Sequence, residues 1–219
     1  MGLGYRKARG VPAKADPVAQ KHFLDTELRP RLAQAAAGKR RVLFADAAHF
    51  VRGAFLGYLW CLVRWVVPTG AGRQRYNVLG AVDAVTHELV RETNDGVVDQ
   101  VTAGRLLRKI RERYPTGPIT VVWDNARYQH TALVRSIAAF YRIELLYLPP
   151  YSPNLNLIER VWKFVKADAL ANRWRADFPA FKAAIDATLD QLHTTHRETM
   201  RSLLALNFQV LEPASIPTA

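Results

Sequence analysis

The chain has 219 residues, of which 49% are hydrophobic and 23% are charged. This length and apolar content suffice for one well-packed core, and the absence of low-complexity tracts excludes wholesale disorder. The net charge of +12 indicates a polyanionic partner, chiefly nucleic acid, although a charge that only serves solubility stays open.

A membrane or secreted protein is not indicated. The most hydrophobic segment, residues 54–67, is interrupted by Arg64 and is shorter than the ~20 residues of a membrane-spanning helix. The basic N-terminus lacks the apolar stretch of a signal peptide. The single cysteine, Cys61, cannot form an internal disulfide and is expected to be a buried, reduced thiol, with Trp60 beside it in the core. The sequence predicts a soluble, cytosolic protein.

Residues 1–37 are predicted to form a basic linker followed by one helix. Basic residues alternate with glycine and proline over the first 16 positions, which is typical of a linker. Asp16 suits the N-cap of a helix and Pro17 its first turn, so the helix begins there. Pro30 lies inside it and is expected to bend or split it.

The central region alternates between strand and helix patterns. Short apolar runs predict buried strands, and 3.6-residue periodicity predicts helices. The predicted strands are 42–45, two strands within 76–90 divided near Asp83, 119–123 and 143–148. The predicted helices are 98–114, 131–141, one after the loop at 148–153, and one from Asp177. The helix at 98–114 carries a strongly basic face, which fits a solvated surface at least as well as a DNA contact.

Strands that alternate with helices after a meander predict an α/β fold, with a mixed sheet covered by helices on both faces. We assign residues 38–208 to this domain and residues 209–219 to a C-terminal tail. Ligand sites in such sheets lie at the carboxyl ends of the strands.

Two predicted strands each end in an aspartate, Asp46 and Asp124. Either residue alone could simply form a turn. If the two strands are neighbours, however, the carboxylates lie side by side, and like charges held close are unfavourable without a cation. Hard oxygen ligands favour Mg²⁺ or Mn²⁺ over zinc.

Glu159 lies near the start of the helix that follows the loop Leu148–Pro153. It sits at the border of the apolar face of that helix, so we expect it to point to where the helix meets the edge of the sheet. The prolines of the loop fix backbone angles and can aim the helix rigidly. An ordinary surface pair between Glu159 and Lys163 is the alternative.

The sequences around these acids resemble a known family. The segments are LFADAAHF around Asp46, VVWDNARYQH around Asp124 and LPPYSPNLNLIERVWKFVK around Glu159, and 34 residues separate the last two acids. They look like the three acids of a DDE transposase of the mariner superfamily, in its bacterial insertion-sequence six-thirty branch. The similarity extends over residues 38–208 and implies an RNase H-like fold.

The resemblance also implies an activity and its cofactors. Family members cleave DNA strands and transfer a 3′-hydroxyl end into target DNA, in cut-and-paste transposition, with two Mg²⁺ or Mn²⁺ ions. By this similarity Asp46 would bridge both ions, and Asp124 and Glu159 would each hold one. An RNase H-type nuclease and a catalytically inert DNA-binding remnant of a transposase are the alternatives.

Several further residues are candidate DNA contacts. Lys163 and Lys166 follow Glu159 on the same helix and are the best candidates for phosphate contacts. Asn125, Arg127 and His130 follow Asp124 in its loop and could reach DNA, or could form a solvated turn.

The expected partners follow from the resemblance. They are double-stranded DNA, as transposon ends and target, and a second copy of the chain, because two ends are processed together. Family members usually carry helix-turn-helix modules ahead of the catalytic domain, for which the 37 residues before the first predicted strand leave no room. A separately encoded helix-turn-helix part, joined by frameshifting, would supply that function; a truncated relic is the other explanation. The expected location is the bacterial cytoplasm, at the nucleoid.

Overall fold

The computed structural model describes residues 12–53, 55–56, 60–63, 66–67 and 74–210. In these residues the strands are β1 Arg41–Val51, β2 Arg75–Asp83, β3 Leu89–Asn94, β4 Ile119–Trp123 and β5 Ile143–Tyr147. The α-helices are α1 Pro17–Phe23, α2 Arg29–Ala36, α3 Gln100–Arg113, α4 Ala132–Phe140, α5 Ile158–Val165, α6 Phe178–Asp190 and α7 Arg197–Leu203. No helix in the described ranges is long and apolar enough to cross a bilayer.

The strands form one sheet in the order β3-β2-β1-β4-β5. β1 pairs antiparallel with β2 and parallel with β4. β2 pairs antiparallel with β3, and β4 pairs parallel with β5. The mixed sheet predicted from the alternation of strands and helices is therefore confirmed, and β1 lies at its centre.

Helices cover both faces of the sheet, as predicted. Because successive side chains of a strand point to opposite faces, Phe44 and Val122 lie on one face and Leu43 and Val121 on the other. The first face packs against α1, α2, α5, α6 and α7, and the second against α3 and α4.

The N-terminal helix is split before Pro30, as predicted. α1 ends at Phe23, a π-helical turn spans Leu24–Leu28, and α2 begins at Arg29. Pro30 follows a π-helical turn in which the Arg29 N–H bonds to the Leu24 carbonyl, five residues back, and a proline removes the next helical hydrogen bond. Leu24 and Leu28 are fully buried in the core under the first face. The domain boundary at residue 38 stays a prediction, although this helix shares its core with the sheet.

β1 is longer than the sequence predicts, and this corrects the expected position of Asp46. The residue does not end the strand but lies within β1, opposite Gly80 of β2. β4, in contrast, ends its pairing with β1 at Trp123, which stands opposite Ala45. Sequence reasoning ended the strand where the apolar run ends, whereas the antiparallel partner β2 continues the hydrogen bonding as far as Val51.

The expected burial of Cys61 and Trp60 is wrong. Both side chains are exposed, and Trp60 is fully so. They belong to the connection between β1 and β2, and an apolar composition alone does not decide whether a segment enters a core or stays at the surface. Arg64 lies outside the described residues.

A charge cluster attaches α2 to the sheet edge at β5. Glu144 accepts hydrogen bonds from Arg31 at 2.6 Å, from Arg40 at 2.5 Å and from the Thr120 hydroxyl at 2.7 Å. The hydrogen bond from Arg31 is the main reason why the pKa of Glu144 is lowered to about 2. Because the folded pKa is depressed, this stabilisation is present above the ordinary value and is lost as the pH falls towards 2.

Glu144→Gln is therefore expected to lower the free energy of unfolding at pH 7 by about 1 kcal/mol, since solvent screens a partly exposed carboxylate. Urea denaturation at pH 7 and pH 3 measures the effect, and the difference from the parent should shrink at pH 3. An equal difference at both pH values would contradict the assigned charge interaction.

Candidate active site

The two aspartates meet because of strand register and alternation. Pairing between β1 and β4 ends at Ala45 and Trp123. The next residues along the two parallel strands, Asp46 and Asp124, therefore lie side by side just beyond that pair. Both have the same parity as Phe44 and Val122, which pack under the first face of the sheet. The two aspartates line the same cleft, although β1 itself continues beyond Asp46.

Glu159 lies in the same cleft as the two aspartates and is carried by a helix that packs on the sheet. It occupies the first turn of α5, whose buried side packs on the first face of the sheet through Ile158, Val161 and Trp162. The preceding loop anchors this helix, since the Asn156 side chain donates a hydrogen bond to the Ala45 carbonyl at 3.2 Å. The helix therefore starts directly above the end of the β1–β4 pairing.

A cleft of about 380 Å³ contains all three acids. Its lining also includes the turn that follows β4, the proline-rich loop and Asn156; the full set is Asp46, Asp124, Asn125, Leu148, Pro149, Pro150, Tyr151, Ser152, Pro153, Asn156 and Glu159. Tyr151 adopts a positive φ of 57° and is half exposed at this rim.

The electrostatics of the cleft are those of crowded carboxylates. The pKa of Asp46 is raised to about 7, first by burial and then by the negative charges of Asp124 and Glu159. Opposing contributions come from hydrogen bonds donated by the Ala47 backbone and by Trp162. Asp46 is thus the acid on which burial and repulsion fall most heavily, and a bound cation would relieve both.

Two uncharged donors that sequence reasoning missed hold the aspartates in place. The indole Nε1 of Trp162 donates to Oδ2 of Asp46 at 3.2 Å, and the side-chain amide of Gln129 donates to Oδ1 of Asp124. Gln129 is completely buried. Trp162 was visible only as one member of the apolar face of a helix, and Gln129 as one polar residue in a loop, so neither carried a signal in sequence.

The predicted DNA contacts beyond Asp124 lie on the outer surface next to the cleft. Asn125, Arg127 and His130 are all exposed. The Asn125 amide donates to the Leu148 carbonyl at 2.5 Å and so ties the turn after β4 to the proline-rich loop. The His130 ring stacks on Tyr147 with a centroid distance of 4.2 Å. Of the three, only Asn125 lines the cleft.

The two lysines of α5 differ in their surroundings. Lys163 is exposed, one helical turn beyond Glu159. Lys166 is partly buried, and its ammonium group lies 5.9 Å from the centre of the Phe50 ring. Lys163 is therefore the freer of the two to contact a phosphate.

The basic face of α3 is largely occupied by contacts within the protein. Lys109 pairs with Glu92 at 2.6 Å and Arg113 with Glu88 at 2.5 Å. Arg111 donates to backbone carbonyls, that of Tyr141 among them at 2.8 Å. These contacts give several of the basic side chains of α3 a structural role within the protein.

The donors in the cleft fit a divalent metal ion by type. Three carboxylates supply the hard oxygen ligands that Mg²⁺ and Mn²⁺ prefer. Burial, and after it the charges of Asp124 and Glu159, raise the pKa of Asp46, and a bound cation would offset both effects. Within the described residues, no group of three His, Cys, Asp or Glu side chains already has a metal-coordinating arrangement. Asp46, Asp124 and Glu159 would hold the ions after adjustment of their side chains.

Comparison with protein families gives one match, to the DDE superfamily endonuclease, over residues 41–182. This range is more than half of the chain and includes all three acids. No curated protein matches the sequence.

Comparison with solved structures shows the fold. A mariner Mos1 paired-end complex with Mn is similar with a TM-score of 0.67 and 16% identity, over 97% of this chain and 69% of the other. The Mos1 transposase catalytic domain with raltegravir and Mn gives a TM-score of 0.60 and 14% identity, over 92% and 100% of the two chains. A simian T-cell lymphotropic virus intasome gives a TM-score of 0.53 and 15% identity, over 81% of this chain and 59% of the other. The RNase H-like fold is confirmed.

Proposed function

Because this chain belongs to the DDE superfamily of endonucleases, we propose that it is the catalytic domain of a mariner-type transposase. It cleaves DNA strands and then joins a 3′-hydroxyl end to target DNA. The observation that carries the proposal is the placement of Asp46, Asp124 and Glu159 around one cleft, from two neighbouring strands and one helix. We also propose the bacterial insertion-sequence six-thirty branch, which the sequence segments around the three acids resemble.

In this proposal Asp46, Asp124 and Glu159 would hold two Mg²⁺ or Mn²⁺ ions. When bound, the ions activate the attacking hydroxyl group and neutralise charge on the leaving oxygen. Solved complexes of Mos1 with Mn and with Mg support a divalent metal.

The chain itself positions the three acids. The β1–β4 pairing sets the spacing of the two aspartates, and the donors from Trp162 and Gln129 orient them. The proline-rich loop forms one wall of the cleft and starts the helix that carries Glu159. No serine or tyrosine nucleophile is needed, because water and a DNA 3′-hydroxyl are the attacking groups.

An RNase H-type nuclease would share the fold and the acids but would only hydrolyse. The test uses the full chain with Mn²⁺ or Mg²⁺, a supercoiled plasmid and a labelled duplex with a free 3′-hydroxyl end. A transposase nicks DNA and covalently joins the labelled end to the plasmid. Hydrolysis of DNA, or of an RNA–DNA hybrid, without joining favours the nuclease, and absence of any metal-dependent reaction favours the inert remnant.

The proposed partners are double-stranded DNA, as transposon ends and target, and a separately encoded helix-turn-helix part. The Mos1 structures are paired-end and strand-transfer complexes, which supports DNA as the partner here. A net charge of +12 gives non-specific, salt-dependent affinity for DNA. The proposed location is the bacterial cytoplasm, at the nucleoid.

A homodimer on DNA is also proposed, and the exposed apolar residues between β1 and β2 support it. Leu56, Trp60, Leu62, Val63 and Val66 are each at least 67% exposed, and adjacent exposed apolar residues of this kind mark interaction surfaces. Trp60→Ser with Leu62→Ser is expected to convert the dimer into a monomer. Light scattering of the DNA-bound chain measures this, and a parent chain that binds DNA only as a monomer would contradict it.

Lys163→Ala is expected to weaken DNA binding about equally for all sequences and to lower the salt dependence by about one phosphate contact. The reason is that Lys163 is exposed one turn from Glu159. Fluorescence anisotropy at several salt concentrations measures the DNA affinity and its salt dependence. Lys39→Ala is the control, since exposed Lys39 precedes β1 at the other end of the strand. An equal salt dependence of DNA affinity in Lys163→Ala and Lys39→Ala would show that Lys163 does not contact DNA.

A further inference from the structure

One tryptophan connects two of the three acids. Trp162 lies three residues, or about one helical turn, after Glu159 on α5. Its ring is only 2% exposed, and its Nε1 donates to Oδ2 of Asp46 at 3.2 Å. The helix that carries the third acid is thus hydrogen-bonded to the first acid through a rigid side chain.

The sheet has a matching space for this ring. Gly80 is the residue of β2 directly opposite Asp46. A Cβ atom at Gly80 would lie 2.7 Å from Cη2 and 3.1 Å from Cζ2 of Trp162, well inside normal contact. The absence of a side chain at this position therefore allows the indole to approach the sheet closely enough to reach the carboxylate. Phe50, on the same face of β1, meets the ring edge-on at 6.4 Å.

We propose that Trp162, seated on Gly80, is a positioning residue for Asp46. It fixes one carboxylate oxygen of Asp46 through the N–H and sets the distance between the sheet and the helix that carries Glu159. The inference rests on the proposed function, because it takes the acids as metal ligands. Groups that orient metal ligands typically account for 10- to 100-fold in metal affinity.

A tryptophan in a core position also contributes packing, so the test separates packing from orientation. Trp162→Phe keeps an aromatic ring and removes the N–H. Trp123→Phe is the matched control, because Trp123 is equally buried in β4, packs under the opposite face of the sheet, and has an indole N–H without a hydrogen-bond partner. Both variants lose the same atoms, but only Trp162→Phe loses a hydrogen bond to a carboxylate.

A second pair of variants tests the close contact between Gly80 and Trp162 without changing the tryptophan. Gly80→Ala forces the ring of Trp162 to move. Gly104→Ala is its control, since a Cβ there would lie 2.6 Å from Cδ1 of Ile137, which is the end of a flexible side chain and can rotate away. Gly104 lies on α3, under the opposite face of the sheet.

The measurement is Mn²⁺ binding to the full chain by calorimetry, with no DNA present. We expect an approximately 10-fold or greater loss of Mn²⁺ affinity in Trp162→Phe and Gly80→Ala, and affinities close to the parent in Trp123→Phe and Gly104→Ala. Parent-like affinity in folded Trp162→Phe overturns the inference; if that variant does not fold, parent-like affinity in Gly80→Ala overturns it. A parent chain without saturable Mn²⁺ binding instead overturns the proposed function and the inference together.

Discussion

Replacing any one of the three acids by its amide, in Asp46→Asn, Asp124→Asn or Glu159→Gln, is expected to reduce metal-dependent DNA cleavage by about 10³-fold or more. Metal-ion stabilisation of charge in the transition state is worth several kcal/mol, and about 4 kcal/mol corresponds to about 10³-fold in rate. Each amide keeps the shape of the side chain but removes a negative charge from the cleft. Single-turnover nicking of plasmid DNA at a fixed Mn²⁺ concentration measures the loss.

The control for charge removal is Glu198→Gln, because the Glu198 side chain is 81% exposed on α7. Its cleavage rate should equal that of the parent. Circular dichroism of all variants excludes unfolding as the cause of lost activity. Activity that persists in a folded, purified Asp46, Asp124 or Glu159 variant would remove that acid from the catalytic set.

The metal-free protein is expected to become less stable as the pH rises, and Asp46 is the cause. Its folded pKa is raised from 3.8 to about 7, so the folded state binds this proton more tightly than the unfolded state does. The resulting stabilisation is fully present below pH 3.8 and is lost as the pH rises through 7. Between pH 5 and pH 8 the expected loss is roughly 2–3 kcal/mol.

Asp46→Asn isolates this contribution. The variant cannot ionise, so at pH 8 in EDTA it should be more stable than the parent, and the difference should diminish towards pH 5. His87 and His193 have lowered pKa values, chiefly because of burial, and act in the opposite direction near this pH range. Their effects are common to both proteins and cancel in the difference.

Urea denaturation of both proteins in EDTA at pH 5 and pH 8 gives the four free energies of unfolding. Addition of Mg²⁺ at pH 8 should stabilise the parent but have little effect on the variant, because ligands that bind only the folded state raise its stability. A variant that is less stable than the parent at pH 8 would show that the Asp46 carboxylate is not under electrostatic strain. If Asp46→Asn is instead more stable than the parent at pH 8 and inactive in the cleavage assay, Asp46 is an acid that serves activity at a cost in stability.

The secondary structure and the identity of the acids follow from sequence because both depend on short-range patterns. The limits of β4 match the predicted 119–123, and helix α6 begins after the Asp177 N-cap. Such elements are determined by local periodicity and capping. The three acids could be proposed as a set because each lies within a segment that resembles a known family.

The tertiary structure alone decided how β1 continues, where Cys61 lies and which groups support the acids. β1 extends past Asp46 because β2 supplies pairing partners that lie 24 to 32 positions away in the sequence. Trp162 and Gln129 gain their roles only when a helix and a loop fold over the ends of the strands. Long-range pairing and burial are properties of the assembled chain, so no local pattern in the sequence could have indicated them.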